Sequence, residues 1–99
     1  MIVVRNVFHL KFGKAKEAKA WMKQAFKLGK SAGFNPDRVL ADVTGRFYTL
    51  VLENSFANLA EFEASQAKGF SNKKWEEWYQ KFIPLVENGY REIFTVVET

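Results

Sequence analysis

Asn6 stands on an otherwise apolar strand face, sharing it with Ile2, Val4, Phe8, Leu10 and Phe12 in an alternating run from Ile2 to Phe12. A buried amide without hydrogen bonds costs about 1–3 kcal/mol. Asn6 is therefore either satisfied structurally, by backbone or water, or set to orient a polar group on a small ligand. Trp75, Trp78, Tyr79, Phe82 and Ile83 fall at helical i, i+3, i+4 spacing. That spacing suits plain core, and it equally suits the lining of an aromatic cavity for a planar ligand, with indole N–H and phenol O–H groups as polar handles. His9 is the single histidine; its near-neutral intrinsic pKa qualifies it as a general base, with Asp42 and Glu53 as possible partners. It shares its strand face with Arg5 and Lys11, opposite to Asn6, so a structural histidine is the competing reading. Tyr48 is expected on the Asn6 side, reaching the same cavity. The catalytic candidates are thus Asn6, His9 and Tyr48. The ligand-binding candidates are Asn6, Tyr48, Trp75, Trp78, Tyr79 and Phe82. Arg91 could clamp a carboxylate, against an ion pair with Glu92, Glu53 or a subunit partner.

Other chemistry is excluded by what the chain lacks. Its 99 residues contain no Cys and one His, which removes thiolate sites, disulfides and any multi-histidine metal site within one chain. No metal and no cofactor is expected. There is no Gly-x-Ser-x-Gly, phosphate loop or dinucleotide fingerprint. Net charge is +4, and much of the excess sits in Lys11, Lys14, Lys16, Lys19, Lys23, Lys27 and Lys30, in or near one predicted helix. Lysines spaced by three or four mark the wet face of an amphipathic helix. Nucleic acid is not an expected partner, because the exposed-aromatic RNA-binding motif of ferredoxin-like sheets is missing. Apolar runs such as Val39 to Ala41 and Tyr48 to Leu52 are only a few residues and fall far short of the roughly 20 residues of a membrane span. The opening Met-Ile-Val-Val-Arg leads into a strand and lacks the pattern of a signal segment, so a cytoplasmic protein is expected.

The elements that must position these residues follow from periodicity. After the first strand, Gly13 breaks the alternation and a helix is predicted from Lys14 to about Gly29, with Ala15, Ala18, Met22, Ala25 and Phe26 on its apolar stripe. Gly33, Asn35 and Pro36 predict a turn. Arg38 to Thr44 and Phe47 to Asn54 read as strands joined by a short turn at Thr44-Gly45-Arg46. Asn54-Ser55 could cap a helix from about Ala57 to Lys68, striped by Leu59 and Phe62. Ser71 or Asn72 opens a further helix to Phe82, and Tyr90 to Glu98 alternates as a fourth strand. The order β-α-β-β-α-(α)-β predicts a single α+β domain over residues 1–99. It is the ferredoxin-like arrangement, a four-stranded antiparallel sheet with helices on one face.

The core face of that sheet should hold Val4, Phe8, Leu10, Val39, Ala41, Val43, Tyr48, Leu50 and Leu52. The opposite face should carry Val3, Val7, Leu40, Phe47 and Val51, mixed with Arg5, His9, Asp42 and Glu53. An apolar patch with charges of both signs predicts a homodimer joined through the sheets, the charges pairing across a two-fold axis.

With these features the chain resembles the dimeric α/β barrel superfamily, which includes antibiotic-biosynthesis monooxygenases, haem-degrading monooxygenases and NIPSNAP-like proteins. The resemblance spans nearly the whole chain. It rests on the opening strand Val-Val-Arg-Asn-Val-Phe-His-Leu-Lys-Phe and the Lys/Ala-rich helix after it. The late segments Trp-Glu-Glu-Trp-Tyr-Gln-Lys-Phe-Ile-Pro-Leu-Val and Gly-Tyr-Arg-Glu-Ile-Phe-Thr-Val complete it, and the first of these looks most like small NIPSNAP-like bacterial proteins. The resemblance implies a pocket between sheet and helices, with Asn6 at the place of a first-strand Asn and Trp75 or Trp78 at the place of a helix Trp. The haem-ligating His of some members has no counterpart, since nothing after His9 is histidine. For an enzyme, the resemblance implies cofactor-independent oxygenation of an electron-rich aromatic substrate, with a developing anion stabilised by Asn6 and a Trp N–H. Isomerisation or dehydration through His9 or Tyr48 also fits the fold. The expected protein is therefore a small-molecule binder or monooxygenase-like enzyme for an aromatic or hydrophobic ligand. The alternative is a non-catalytic homodimeric ligand-sensing or interaction module, whose aromatic segment would be packed without a cavity.

Overall fold

A computed structural model of the protein describes residues 1–29 and 36–99. The turn expected at Gly33 and Asn35, and Lys30 of the basic stripe, lie outside the described residues. The elements are β1 (Ile2–Leu10), α1 (Ala15–Leu28), β2 (Arg38–Ala41), β3 (Thr49–Phe56), α2 (Leu59–Phe70), α3 (Lys73–Phe82), a 3-10 turn (Ile83–Leu85) and β4 (Val86–Thr95). The strands form one antiparallel sheet in the order β2-β3-β1-β4. This is the ferredoxin-like α+β architecture that the alternation and helical spacing predict.

Register fixes the two faces. Asn6 pairs with Leu52 on β3 and Arg91 on β4, while Val7 pairs with Val51 and Tyr90. Paired residues share a face. The helix-covered face therefore runs through Val4, Asn6, Phe8, Leu50, Leu52 and Arg91. The open face runs through Val3, Arg5, Val7, His9, Val51, Glu53, Tyr90 and Phe94.

The core lies between the sheet and α1. Ala18 and Ala25 are completely buried and Met22 nearly so. These residues pack in one cluster with Leu10, Leu50 and Leu52 from the sheet and with Trp78, Phe82 and Leu85. The predicted lysine face is the outer side of this helix. Asn72 caps α3 by accepting from the Trp75 N–H at 2.9 Å. Pro84 falls in the 3-10 turn that ends the helix, where its missing N–H breaks no α-helical ladder.

Four expectations are corrected. The hairpin between β2 and β3 is not a tight turn: β2 ends at Ala41 and β3 starts at Thr49. Asp42 stops the ladder, because its carboxylate accepts from the Thr49 N–H at 2.8 Å, and this bond holds its pKa below the usual carboxylate value. Tyr48 then takes a positive φ of 59°, and Val43 is almost fully exposed rather than in the core. Second, β3 continues through Asn54 and Ser55. The α2 cap is Asn58, which accepts from the Glu61 N–H at 2.9 Å, while the Glu61 carboxylate accepts from the Ala57 N–H. Third, β4 begins at Val86, so Asn88-Gly89 lies within the strand rather than closing a helix. A Cβ on Gly89 would stand 2.7 Å from the Val7 carbonyl, so only glycine fits where Phe8 crosses β4. Fourth, the open-face charges pair within the chain. Glu53 receives Arg5 at 2.7 Å and Arg38 at 2.6 Å, and both guanidinium groups hold its carboxyl below its ordinary pKa.

Candidate functional site: a cleft beneath α2

Helix α2 stands off the sheet. Its one buried residue is Gly69, which has no side chain to fill the gap. Between α2, α3 and the strands lies a cleft of about 740 Å³. That volume suits a small organic molecule. The strands supply Val4, Asn6, Leu52, Asn54 and Phe56 as its floor, and α3 supplies Trp75, Trp78, Tyr79 and Phe82 as one wall.

The aromatic wall is ordered by its own stacking. Trp75 lies on Trp78 with ring centres 4.8 Å apart, and Trp78 lies on Phe82 at 5.0 Å. Phe8 meets Phe82 edge-on at 5.4 Å. The Trp78 indole N–H donates to the Trp21 carbonyl at 2.6 Å, fastening α3 to α1. That hydrogen is therefore committed, and the expected role of Trp78 as an N–H donor to a ligand anion does not fit; Trp78 is buried and anchors the stack of Trp75 and Phe82.

Asn6 is half-buried on the cleft floor. Its Oδ1 accepts from Arg91 Nε at 2.7 Å. Gln66, on the cleft side of α2, turns its amide oxygen to the same guanidinium, accepting from Nη1 at 3.0 Å and Nη2 at 2.9 Å in the orientation that satisfies both groups. The guanidinium also lies over the Phe62 ring at 5.2 Å. The ion pair expected for Arg91 with Glu92 or Glu53 does not form. Glu92 is on the other face, Glu53 is held by Arg5 and Arg38, and no carboxylate pairs with Arg91 among the described residues.

The two other catalytic candidates are placed elsewhere. His9 is buried on the open face, as alternation predicts, with Nδ1 3.4 Å from Thr49 Oγ1 and its ring beside Tyr90. The Thr49 hydroxyl donates to the Arg46 carbonyl at 3.0 Å, so it accepts from His9 Nδ1. Burial, with help from Arg46 and against Glu87, lowers the His9 pKa. Tyr48 does not line the cleft. Its positive φ turns the ring toward Phe12, at 5.1 Å, and Phe47. Neither residue can act as acid or base on a molecule held beside Asn6. Of the binding candidates, Asn6, Trp75, Trp78, Tyr79 and Phe82 share the cleft.

The sequence reading missed Phe62 and Gln66 as site residues. With Ser65 and Gly69 they lie at i, i+3, i+4 and i+7, the spacing of a buried helix face, yet two of the four are polar. A mixed face at core spacing is the signal that could have marked them. No group of three or more metal-ligating side chains occurs among the described residues.

No protein-family model matches the chain, and no curated protein shows significant similarity to it. Solved structures share its fold. A NIPSNAP family protein from Agrobacterium tumefaciens superposes with a TM-score of 0.91 at 14% identity, over 98% of this chain and 93% of that one. An uncharacterised NIPSNAP domain protein from Burkholderia xenovorans gives 0.86 at 14% identity, covering 98% and 95%. An antibiotic biosynthesis monooxygenase gives 0.72 at 9% identity, covering 99% and 100%. The chain thus has the ferredoxin-like α+β fold of these solved structures, among them NIPSNAP family proteins and an antibiotic biosynthesis monooxygenase.

Proposed function

We propose that the protein binds a small, planar, largely apolar molecule in the cleft beneath α2. The observation that carries this is the open space itself. A packed interaction module would fill the volume between α2 and the sheet, whereas here a stacked wall of Trp75, Trp78 and Phe82 faces about 740 Å³ of cleft. Rings held by their own stacking give a preorganised aromatic wall that a ligand meets at little entropic cost.

Native mass spectrometry of protein purified from its own host, followed by mild denaturation, tests this. A small aromatic or hydrophobic molecule released on denaturation supports the reading. In vitro, 2-naphthamide should quench the tryptophan fluorescence saturably, with a 1:1 endpoint per chain. Absence of saturable binding by any flat aromatic probe contradicts the proposal.

A catalytic extension rests on the fold shared with an antibiotic biosynthesis monooxygenase. In it, an electron-rich substrate would itself reduce oxygen, and the protein would exclude water and hold the ring. The donors around Asn6 would stabilise the substrate anion. Oxygen uptake with a hydroxylated aromatic substrate, without added metal or flavin, checks this extension.

We also propose that two chains join through the open sheet face. Val3, Val7, Val51, Tyr90, Phe94 and Leu40 make it apolar, and Leu40, Tyr90 and Phe94 remain more than a third exposed. Sedimentation should give a dimer, and the double change Leu40→Asp with Tyr90→Asp should yield monomer; a monomeric unsubstituted protein contradicts this.

A further inference from the structure

Arg91 is held by neutral partners on every side that the structure describes. Its Nε–H goes to Asn6, and one N–H from each Nη goes to Gln66. Its face rests on Phe62. Neutral carboxamides orient a guanidinium without cancelling its charge. One N–H remains on each Nη. Because both amide oxygens are turned toward Arg91, the NH2 ends of Asn6 and Gln66 are left as donors. The polar corner of the cleft is therefore donor-rich and positively charged, and it sits against an aromatic wall. Such a corner matches a group that only accepts hydrogen bonds and carries negative charge. The acidic residue on the cleft's lining, Glu76, is exposed on α3 and has no ion pair with Arg91.

The geometry points to an aromatic monoanion, a flat ring bearing a carboxylate, as the ligand class, with Arg91 receiving the carboxylate and Asn6 and Gln66 fixing the guanidinium. This inference rests on the proposed ligand-binding role of the cleft and adds the charge of the ligand. Two features argue for a carboxylate over a larger anion. A carboxylate has two acceptor oxygens, enough to take a remaining Nη N–H and the NH2 ends of Asn6 and Gln66 without an oxygen left unpaired. The cleft also offers one cation for one charge.

The test compares three probes of one shape, 2-naphthoate, 2-naphthamide and 2-naphthylmethylamine, by fluorescence titration at pH 7. Naphthoate should bind at least about tenfold more tightly than naphthamide, and the amine most weakly. Raising salt should weaken naphthoate and leave naphthamide unchanged. In Arg91→Gln, with folding checked by circular dichroism, the naphthoate preference should fall to within about twofold. Arg91→Lys should keep part of it, because the charge remains while the planar bonds to Asn6 and Gln66 that fix its place are lost. Equal binding of naphthoate and naphthamide by the unsubstituted protein overturns the anion inference while leaving the aromatic pocket standing. A preference that persists in Arg91→Gln places the anion on surface lysines and also overturns it. Failure of all three probes overturns the pocket reading and this inference with it.

Discussion

Helices α1 and α2 cover the same sheet face, yet they meet it differently. Helix α1 buries Ala18, Met22 and Ala25 in the core it shares with α3 and the strand leucines. Helix α2 buries only Gly69 and turns Phe62 and Gln66 over open space. The first half of the layer is scaffold and the second half is site. A glycine at a buried helical position brings the backbone near its neighbours but fills nothing, so space remains where the side chains on either side are long and polar. Helix α3 joins the two halves, since Trp78 is fastened to α1 through Trp21 while its ring faces the cleft.

Substitutions can break this contrast, beginning with the largest effect. Leu50 is buried beneath α1, and Leu50→Ala should cost about 2–5 kcal/mol through lost burial and the cavity left behind. Leu59 on α2 is more than half exposed, so Leu59→Ala should stay within about 0.5 kcal/mol. Urea denaturation of both variants compares the two halves directly; similar losses would erase the distinction. Adding volume gives a second pair. Ala18→Leu should overpack the α1 side at about 1–3 kcal/mol, whereas Ala67→Leu, exposed on α2, should leave the urea midpoint nearly unchanged. Trp78→Phe removes the bond to Trp21 and should cost about 1 kcal/mol beyond the loss of ring area. Amide exchange along α3 should quicken in that variant while α1 stays protected.

The smallest expected effect separates the two sheet faces. Glu53 on the open face has its pKa lowered by hydrogen bonds from Arg38 and Arg5. The folded state therefore binds its proton less readily than the unfolded chain. The stability this contributes is fully present above the ordinary value of 4.5 and is lost as pH falls below it toward the folded value. Glu53→Gln should flatten the acid limb of the stability curve. Arg91, which has no carboxylate partner among the described residues, should add nothing to that limb, so Arg91→Gln should leave its shape intact.

Much of this was legible in the sequence because period-two and helical patterns report which side of an element is buried. Alternation placed Asn6 and His9 on opposite faces, and the spacing of Trp75, Trp78 and Phe82 placed them on one. Element ends were less legible. Asp42 ends β2 through a side-chain bond to a residue seven positions on, which no local pattern records. Tyr48 does pack against the core, but beside Phe12 and outside the cleft, at the end of a hairpin loop longer than the sequence suggested, where its φ is positive. Gln66 was hidden for another reason. A glutamine on a weakly apolar helix looks like a solvated residue until β4 brings Arg91 beneath it, and that contact spans 25 positions.

The measurement closest to the central claim is an NMR titration of uniformly 15N-labelled protein with 2-naphthamide, a neutral probe that tests the cleft apart from charge. The account predicts saturable shifts at the side-chain amides of Asn6, Asn54 and Gln66 and at the Trp75 indole, with the open-face residues Thr49 and Phe94 unmoved. Shifts confined to the open face, or no saturable shift at any of these groups, would contradict it.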